Sequence, residues 1–217
     1  MYPDTPQLPC VSPFYEHRLK RPLDLLLAGG ALLLLFPFLL LLALLLWLVQ
    51  GGNPIFRQTR VGRYGREFRI IKFRTMNDNR DSEGRLLPDR QRTTRIGSVL
   101  RRSSLDELPE LLNVIRGEMS LIGPRPWIPE QMNFFPPTAR ERRMRLRPGI
   151  SGLAQVMGRN SLTFRQRLHY DLIYQRRLSP ETDLWILWRT CGKVLRREDI
   201  EQHPQAFGSP DKITASK

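Results

Sequence analysis

Two carboxylates stand side by side, Asp106 and Glu107, in the stretch SLDELPELLNVIRGEMSLIGPRP, and Arg125 follows between two prolines. An acid pair suits two kinds of work. Ser104 and Glu107 have the S-x-x-E spacing of a capping box, and acids in a first helical turn complement the helix dipole. A carboxylate held ionised near a helix start can instead attack phosphorus and form an acyl phosphate. Two carboxylates can also share Mg²⁺ with substrate phosphates, and Arg125 can neutralise charge on phosphoryl oxygens. Pro109 bears on the choice. It falls at the fifth position of a helix capped by Ser104, where its missing N–H breaks a regular hydrogen bond. The helix is therefore predicted to begin near Pro109, with both acids in an irregular turn ahead of it. Spacing alone leaves capping and catalysis both open.

The elements that must position these residues lie in a strongly basic chain. Its 217 residues carry 35 Lys+Arg against 21 Asp+Glu, a formal charge of +14. Such an excess implies an anionic partner: nucleic acid, an acidic membrane surface or a phosphorylated substrate. Arg outnumbers Lys, which suits two-point contact with phosphate oxygens. Cys10 and Cys191 form no spaced set, so neither a disulfide framework nor a zinc pattern is expected. His17, His169 and His203 are isolated and read as surface or core residues. There is no Walker A loop, no G-x-G-x-x-G fingerprint and no G-x-S-x-G elbow.

One segment departs from this basicity. Leu25 to Val49, LLLAGGALLLLFPFLLLLALLLWLV, has no charge and no polar face. As a helix it would measure about 37 Å, more than the roughly 30 Å of bilayer hydrocarbon. It lies too far along the chain for an ordinary signal peptide, so it is predicted to enter a membrane. Basic residues flank it on both sides, Arg18, Lys20 and Arg21 before and Arg57, Arg60 and Arg63 after. Both flanks thus qualify as cytoplasmic. Pro37, at the middle, favours a kink. The features favour a bent hairpin entering and leaving by one face, against a straight single span.

After Gln50 the pattern changes. NPIFRQTRVGRYGREFRIIKFRTM alternates apolar and basic residues around Gly62 and Gly65 and is predicted to form a hairpin or short strands. Asn77 to Arg92 reads as a polar loop. RIGSVLRR has helical spacing, with Ile96, Val99 and Leu100 predicted on one face, and LPELLNVI is a short apolar helix ending near Gly117. IGPRPWIP is rigid punctuation, and RLRPGISGLAQVMGRN a glycine-rich loop with Arg147 and Arg159 near its ends. These two arginines are candidates for nucleotide-phosphate contact, against plain loop packing. Two helices close the pattern, LTFRQRLHYDLIYQRRL and ETDLWILWRTCGKVLRR, where Trp185 and Trp188 suit either a core or a membrane interface.

KFRTM, SLDELPELLNVIRGEMSLIGPRP and RPGISGLAQVMGRN, in this order after a hydrophobic segment, resemble the bacterial sugar transferases, the monotopic polyprenyl-phosphate phosphoglycosyl transferases. The similarity runs from about Lys20 to Arg197 and matches the small, minimal form. It implies a UDP-sugar donor that passes its phospho-sugar to undecaprenyl phosphate, releasing UMP, as the first membrane step of bacterial glycoconjugate assembly. It implies Asp106 as nucleophile toward the sugar-linked phosphorus, Glu107 as its partner, Mg²⁺ bound at the pair, Arg125 on phosphate, and Lys72 as a further polar site residue. Asp171 and Asp183 match acidic positions of the family, expected at the substrate site, against a salt-bridge role with the abundant Arg. The expected fold is mainly α with a small β element. A re-entrant membrane helix (20–50) kinked at Pro37 follows an N-terminal tail (1–19). A compact cytoplasmic α/β catalytic domain (51–200) with interfacial helices and a polar tail (201–217) complete the chain. The expected location is the cytoplasmic face of the bacterial inner membrane, in contact with its lipids; a homodimer is compatible.

Two positions depart from the family pattern. Phe36 precedes Pro37 where Ser is common, which removes a hydroxyl-to-backbone bond. Met157 stands where Asn is common, which removes a polar contact in that loop. Charge alone would also fit a membrane-tethered nucleic-acid-binding protein, but no helix-turn-helix, RRM or zinc signature supports one, and no nucleic-acid partner is expected. A scaffold of a polysaccharide assembly, with the acids as a mere cap, is the other alternative.

Overall fold

The computed structural model describes residues 8–158 and 161–196. A π-helical turn, Tyr15–Leu19, runs straight into α1, Lys20–Gln50. The expected tail is helical from Pro13, and the Tyr15 hydroxyl donates to Asp183 at 2.6 Å with the ring buried. α1 is long and apolar enough to cross a membrane, with mean hydropathy 3.0 over its best window. It runs through Pro37 without a non-helical break. Gly51 ends it in the left-handed region at φ 64°, its N–H bonded to the Trp47 carbonyl.

Both ends of α1 are tied to the same domain. Near its start, Arg21 donates to the carbonyls of Val114 (2.7 Å) and Ile115 (3.2 Å), and Asp24 accepts from the Ser120 hydroxyl (2.8 Å) and the Leu121 N–H (3.2 Å). At its end, Gln50 Nε2 donates to the Arg74 carbonyl at 3.1 Å. Ala28 joins Phe68, Ile70, Val114 and Met119 in one buried cluster; Leu39, Leu42 and Leu46 join Phe73 and Leu100 in another. Leu33 and Leu34, just before the proline, are 80% and 81% exposed.

The predicted hairpin is β1, Ile55–Val61, paired antiparallel with β2, Glu67–Phe73, with Ile55 opposite Phe73 and Val61 opposite Glu67. The polar stretch after it holds two isolated bridges, Met76 with Thr93 and Arg80 with Leu86. It also holds one short helix not predicted, α2, Asp89–Arg92, entered at Pro88. Next comes α3, Arg95–Arg102, whose Gly97 N–H is capped by Thr94 Oγ1 at 3.0 Å. Here the predicted face is corrected. Leu100 is buried, but Val99 is 54% exposed. The helix rests on Gly97, where a Cβ would lie 2.0 Å from the Thr75 carbonyl oxygen, and that close seat turns Val99 outward.

A 3₁₀ helix, Leu105–Glu110, leads into α4, Leu111–Arg116, which ends at Gly117 with φ 86°. β3, Ser120–Ile122, a 3₁₀ segment, Pro129–Phe134, and α5, Pro137–Met144, follow. β4, Gly149–Ser151, then pairs with β3 in parallel. Neither strand of this pair was predicted, since three residues are too few to show alternation. The pairing depends on glycine: a Cβ on Gly149 would sit 2.1 Å from the Gly123 nitrogen. Three helices complete the described fold, α6, Leu153–Met157, α7, Phe164–Arg176, and α8, Pro180–Arg196. Tyr170, Tyr174, Leu153, Leu178 and Ile186 make the core beneath them. Trp185 packs against this core, while Trp188 is 76% exposed.

Candidate active site

The acid pair lies on the 3₁₀ helix, neither in an irregular turn nor in a capping box. Ser104, with φ 56°, is left-handed and its side chain makes no cap bond. In a 3₁₀ helix residues three apart eclipse one another, and neighbours are turned by about 120°. Glu107 and Glu110 therefore face the same way, and both reach Lys72 of β2. Lys72 Nζ lies 2.7 Å from Glu107 Oε1 and 3.0 Å from Glu110 Oε1, the latter off the hydrogen-bonding direction. Arg125 Nη2 meets the same Glu107 oxygen at 3.0 Å. Neither Lys72 nor Arg125 pairs with Asp106. Asp106 is half-buried, and among the described residues its carboxylate has no hydrogen bond and no ion pair.

Asn113 fixes the acids against the strand. Fully buried on α4, it accepts from the Ile71 N–H (3.0 Å) and donates to the Arg69 carbonyl (2.8 Å), closing the open edge of β2 next to Lys72.

Arg125 is fixed through its backbone. Prolines on either side remove donors, so the segment is held by its carbonyls. The Gly149 N–H binds Pro124 O at 3.0 Å and the Val61 N–H binds Trp127 O at 2.9 Å. Arg60 Nη1 binds Pro126 O at 3.2 Å, and Arg143 Nη2 donates to Arg125 O. Arg143 is 4% exposed, lies 3.7 Å over the Trp127 ring and pairs with Asp171 at 2.7 Å. Asp171 thus stands behind the Arg125 segment. Burial pushes its carboxyl up, and Arg143 pulls it back. Asp171→Ala would leave a buried guanidinium without its counter-charge, at a cost of about 3–5 kcal/mol. The expected result is a lower melting temperature together with a fall in kcat, read by thermal unfolding and initial rates; unchanged melting would refute the brace.

The electrostatics separate the three acids. Burial raises the Asp106 carboxyl above its usual range, and the neighbouring Glu107 charge raises it further, against the pull of Lys72, Arg101 and Arg125. Arg101 belongs to the site through Thr75, whose hydroxyl accepts from its Nε at 2.9 Å. Glu110, 2% exposed, is pushed up to about 7, by burial first. Lys72 and Arg125 oppose that push, and Glu107 adds to it. An acid raised in the folded chain from 4.5 to about 7 holds its proton while the unfolded chain has lost it. Its contribution to stability is thus full below pH 4.5 and fades as pH rises to about 7. Glu110→Gln should remove that decline, worth on the order of 3 kcal/mol at most. Melting temperatures at pH 5 and pH 8 should differ by several degrees less in the variant than in the wild type. An equal difference would show that Glu110 stays ionised.

Other predicted residues lie elsewhere. Asp183 accepts from Tyr15 and Tyr174, each at 2.6 Å, and pairs with Lys20 at 2.7 Å, locking the start of α1 to the core. Burial, and Asp183 beside it, push the Tyr174 hydroxyl well up, so it remains a donor. Arg147 Nε donates to the Gly117 carbonyl at 3.1 Å, at the end of α4. Arg159 lies outside the described residues. The residues brought together are Asp106, Glu107, Lys72 and Arg125, with Asp171 behind. Glu110, Arg143, Arg60 and Arg101 were not predicted. Glu110 alone had a readable signal: once Pro109 implies a 3₁₀ turn, its spacing from Glu107 aligns the two.

Among the described residues no group of three or more His, Cys, Asp or Glu can hold a metal ion. Mg²⁺ needs less, since one or two carboxylates suffice where phosphates and water fill the remaining positions. Asp106, unpaired and half-exposed, fits that role beside Glu107.

The site therefore joins an unpaired Asp106 carboxylate, under the charges of Lys72, Arg101 and Arg125, to a domain bound to both ends of a long apolar helix. The chain belongs to the bacterial sugar transferase family, whose model matches residues 15–197. It is 41% identical over 185 residues to the uncharacterized sugar transferase EpsL of Bacillus subtilis (strain 168), covering 85% of this chain and 91% of that protein. It is 39% identical to the exopolysaccharide production protein ExoY of Sinorhizobium fredii (strain NBRC 101917 / NGR234), covering 81% and 84%. It is 41% identical to the UDP-glucose:undecaprenyl-phosphate glucose-1-phosphate transferase of Caulobacter vibrioides (strain ATCC 19089 / CIP 103742 / CB 15), covering 82% and 67%.

Proposed function

We propose that the protein transfers a phospho-sugar from a UDP-sugar to undecaprenyl phosphate at the cytoplasmic face of the bacterial inner membrane. The observation that carries the mechanism is the unpaired Asp106 carboxylate among three cations. An oxygen of Asp106 attacks the sugar-linked phosphorus, and the bond from that phosphorus to the bridging oxygen breaks. The electron pair leaves with the bridging oxygen, and UMP departs. The sugar phosphate is then an aspartyl acyl phosphate. An oxygen of the lipid phosphate attacks the same phosphorus, the Asp106 carboxylate leaves, and the product is a polyprenyl diphosphate sugar. Both halves use one carboxylate in turn, so donor and acceptor need not be bound together.

Arg125, with its side chain 39% exposed, presents a guanidinium to the equatorial phosphoryl oxygens, where negative charge must be held as bonds change. Glu107 ties Lys72 and Arg125 to one oxygen and so sets the spacing of the two cations. Asp106 and Glu107 would hold Mg²⁺ together with the donor phosphates. When bound, the ion supplies charge neutralisation on those phosphates.

The attachment of both ends of α1 to one domain supports the re-entrant reading, in which the helix dips into one leaflet and returns. The exposed leucines before Pro37 form its deepest part. The acceptor's isoprenoid tail lies in that same leaflet, which explains why a phosphate site is carried on such a helix.

UMP release from a panel of UDP-sugars, with undecaprenyl phosphate and Mg²⁺, tests the reaction. Release with one donor in the wild type, absent in Asp106→Asn, is expected. Turnover undiminished in the variant would end the nucleophile assignment.

A further inference from the structure

A cavity of about 620 Å³ lies away from Asp106, at the C-terminal end of α1. Val49, Gln50 and Gly51 form one wall, Arg74, Met76, Asn77 and Asp78 another, and Thr94, Arg95 and Ile96 the third. Its volume suits a small ligand. The lining joins apolar side chains at the end of the helix to two guanidinium groups.

The two arginines differ. Arg74 is held in place, Nε donating to the Met76 carbonyl at 3.1 Å, its guanidinium against Asp78 and its own carbonyl on Gln50. Arg95 is exposed and, among the described residues, has neither ion pair nor hydrogen bond. Asp78, with a side chain 68% exposed, is the counter-charge that an incoming anion would displace from Arg74. The cavity wall also leads to the active site. Lys72 lies two residues before Arg74, about 7 Å along the chain. Thr75, the next residue after Arg74, accepts the bond from Arg101 beside Asp106.

We propose that this cavity receives the phosphate head of the lipid acceptor between the bilayer and Asp106. The inference rests on the acceptor named above. A lipid phosphate carries an anion on an apolar tail, and the site offers cations at the point where the apolar helix ends. Arg95 is the unengaged cation that meets it, Arg74 the fixed one, and Lys72 the next along the path.

The test is equilibrium binding to the full chain in detergent, with no UDP-sugar, so it stands whether or not any donor turns over. Undecaprenyl phosphate, undecaprenol and inorganic phosphate are compared in wild type, Arg95→Lys and Arg95→Glu. Among the described residues Arg95 makes no ion pair or hydrogen bond, so folding should be unchanged, with melting temperature as the check. The expected result is a Kd for undecaprenyl phosphate raised about tenfold in Arg95→Glu and near wild type in Arg95→Lys. Undecaprenol should bind equally to all three. An unchanged Kd for undecaprenyl phosphate in Arg95→Glu would overturn the proposal. Inorganic phosphate bound as tightly as the lipid, with the same dependence on Arg95, would overturn the lipid assignment in favour of a free-phosphate site.

Discussion

Asp106→Asn should reduce turnover by roughly ten-thousandfold or more, the scale seen when a covalent nucleophile is removed. The change is nearly isosteric, and the carboxylate makes no bond that the fold depends on, so stability should hold. Donor binding should be retained or strengthened, because the amide replaces a negative charge that faces anionic phosphates. Loss of kcat with an undiminished affinity for the UDP-sugar therefore separates a nucleophile from a capping residue. As a cap, Asp106 would show the reverse, a lower melting temperature with activity intact in the folded fraction.

Arg125→Ala should lower kcat by about a hundredfold to a thousandfold, as for loss of a preorganised donor to a developing oxyanion. Arg125→Lys should recover only part of it, since an ammonium cannot offer the planar fork. The backbone around Arg125 is held by Gly149, Arg143, Arg60 and Val61, none of which depends on the Arg125 side chain. The expected loss is therefore kinetic, with little change in melting temperature. A large fall in melting temperature would instead make Arg125 a structural residue bound to Glu107. Asp171→Ala, by contrast, should cost both rate and stability, because it undermines the segment from behind.

What could be read in the sequence was what is local and periodic. Leu25 to Val49 has no polar face, so a long apolar helix followed directly from its residues. The alternation around Gly62 and Gly65 gave the hairpin. Lys72, Glu107 and Arg125, named from the motif resemblance, are neighbours in the fold, with Asp106 next to Glu107 in the chain. Contacts the sequence could not show lie where distant chain segments decide the geometry. Asp171 and Arg143 lie 28 residues apart with no pattern joining them, so the sequence could not choose Arg143 as the arginine that Asp171 pairs with. Asp183 proved to anchor Tyr15 and Lys20, a contact spanning 168 residues in the case of Tyr15. The β3 and β4 strands are too short for periodicity and exist because Gly123 and Gly149 let two backbones meet. Val99 fits a helical face by spacing, yet the seat of Gly97 on Thr75 rotates it outward. Pro109 was correctly seen as incompatible with a regular helix from Ser104, but the chain resolves that conflict by a 3₁₀ helix. That choice aligns Glu110 with Glu107 and leaves Asp106 by itself.

The central claim, a phospho-sugar carried on Asp106, is tested most directly without the lipid. Wild-type protein is mixed with a UDP-sugar radiolabelled on the sugar-linked phosphorus, in the absence of undecaprenyl phosphate, quenched and digested. The account predicts label on the peptide containing Asp106, UMP released in equal amount, and discharge of the label to lipid when undecaprenyl phosphate is added. UMP appearing only once the lipid is present, with no labelled protein at any time, would contradict it and point to direct transfer between the two substrates.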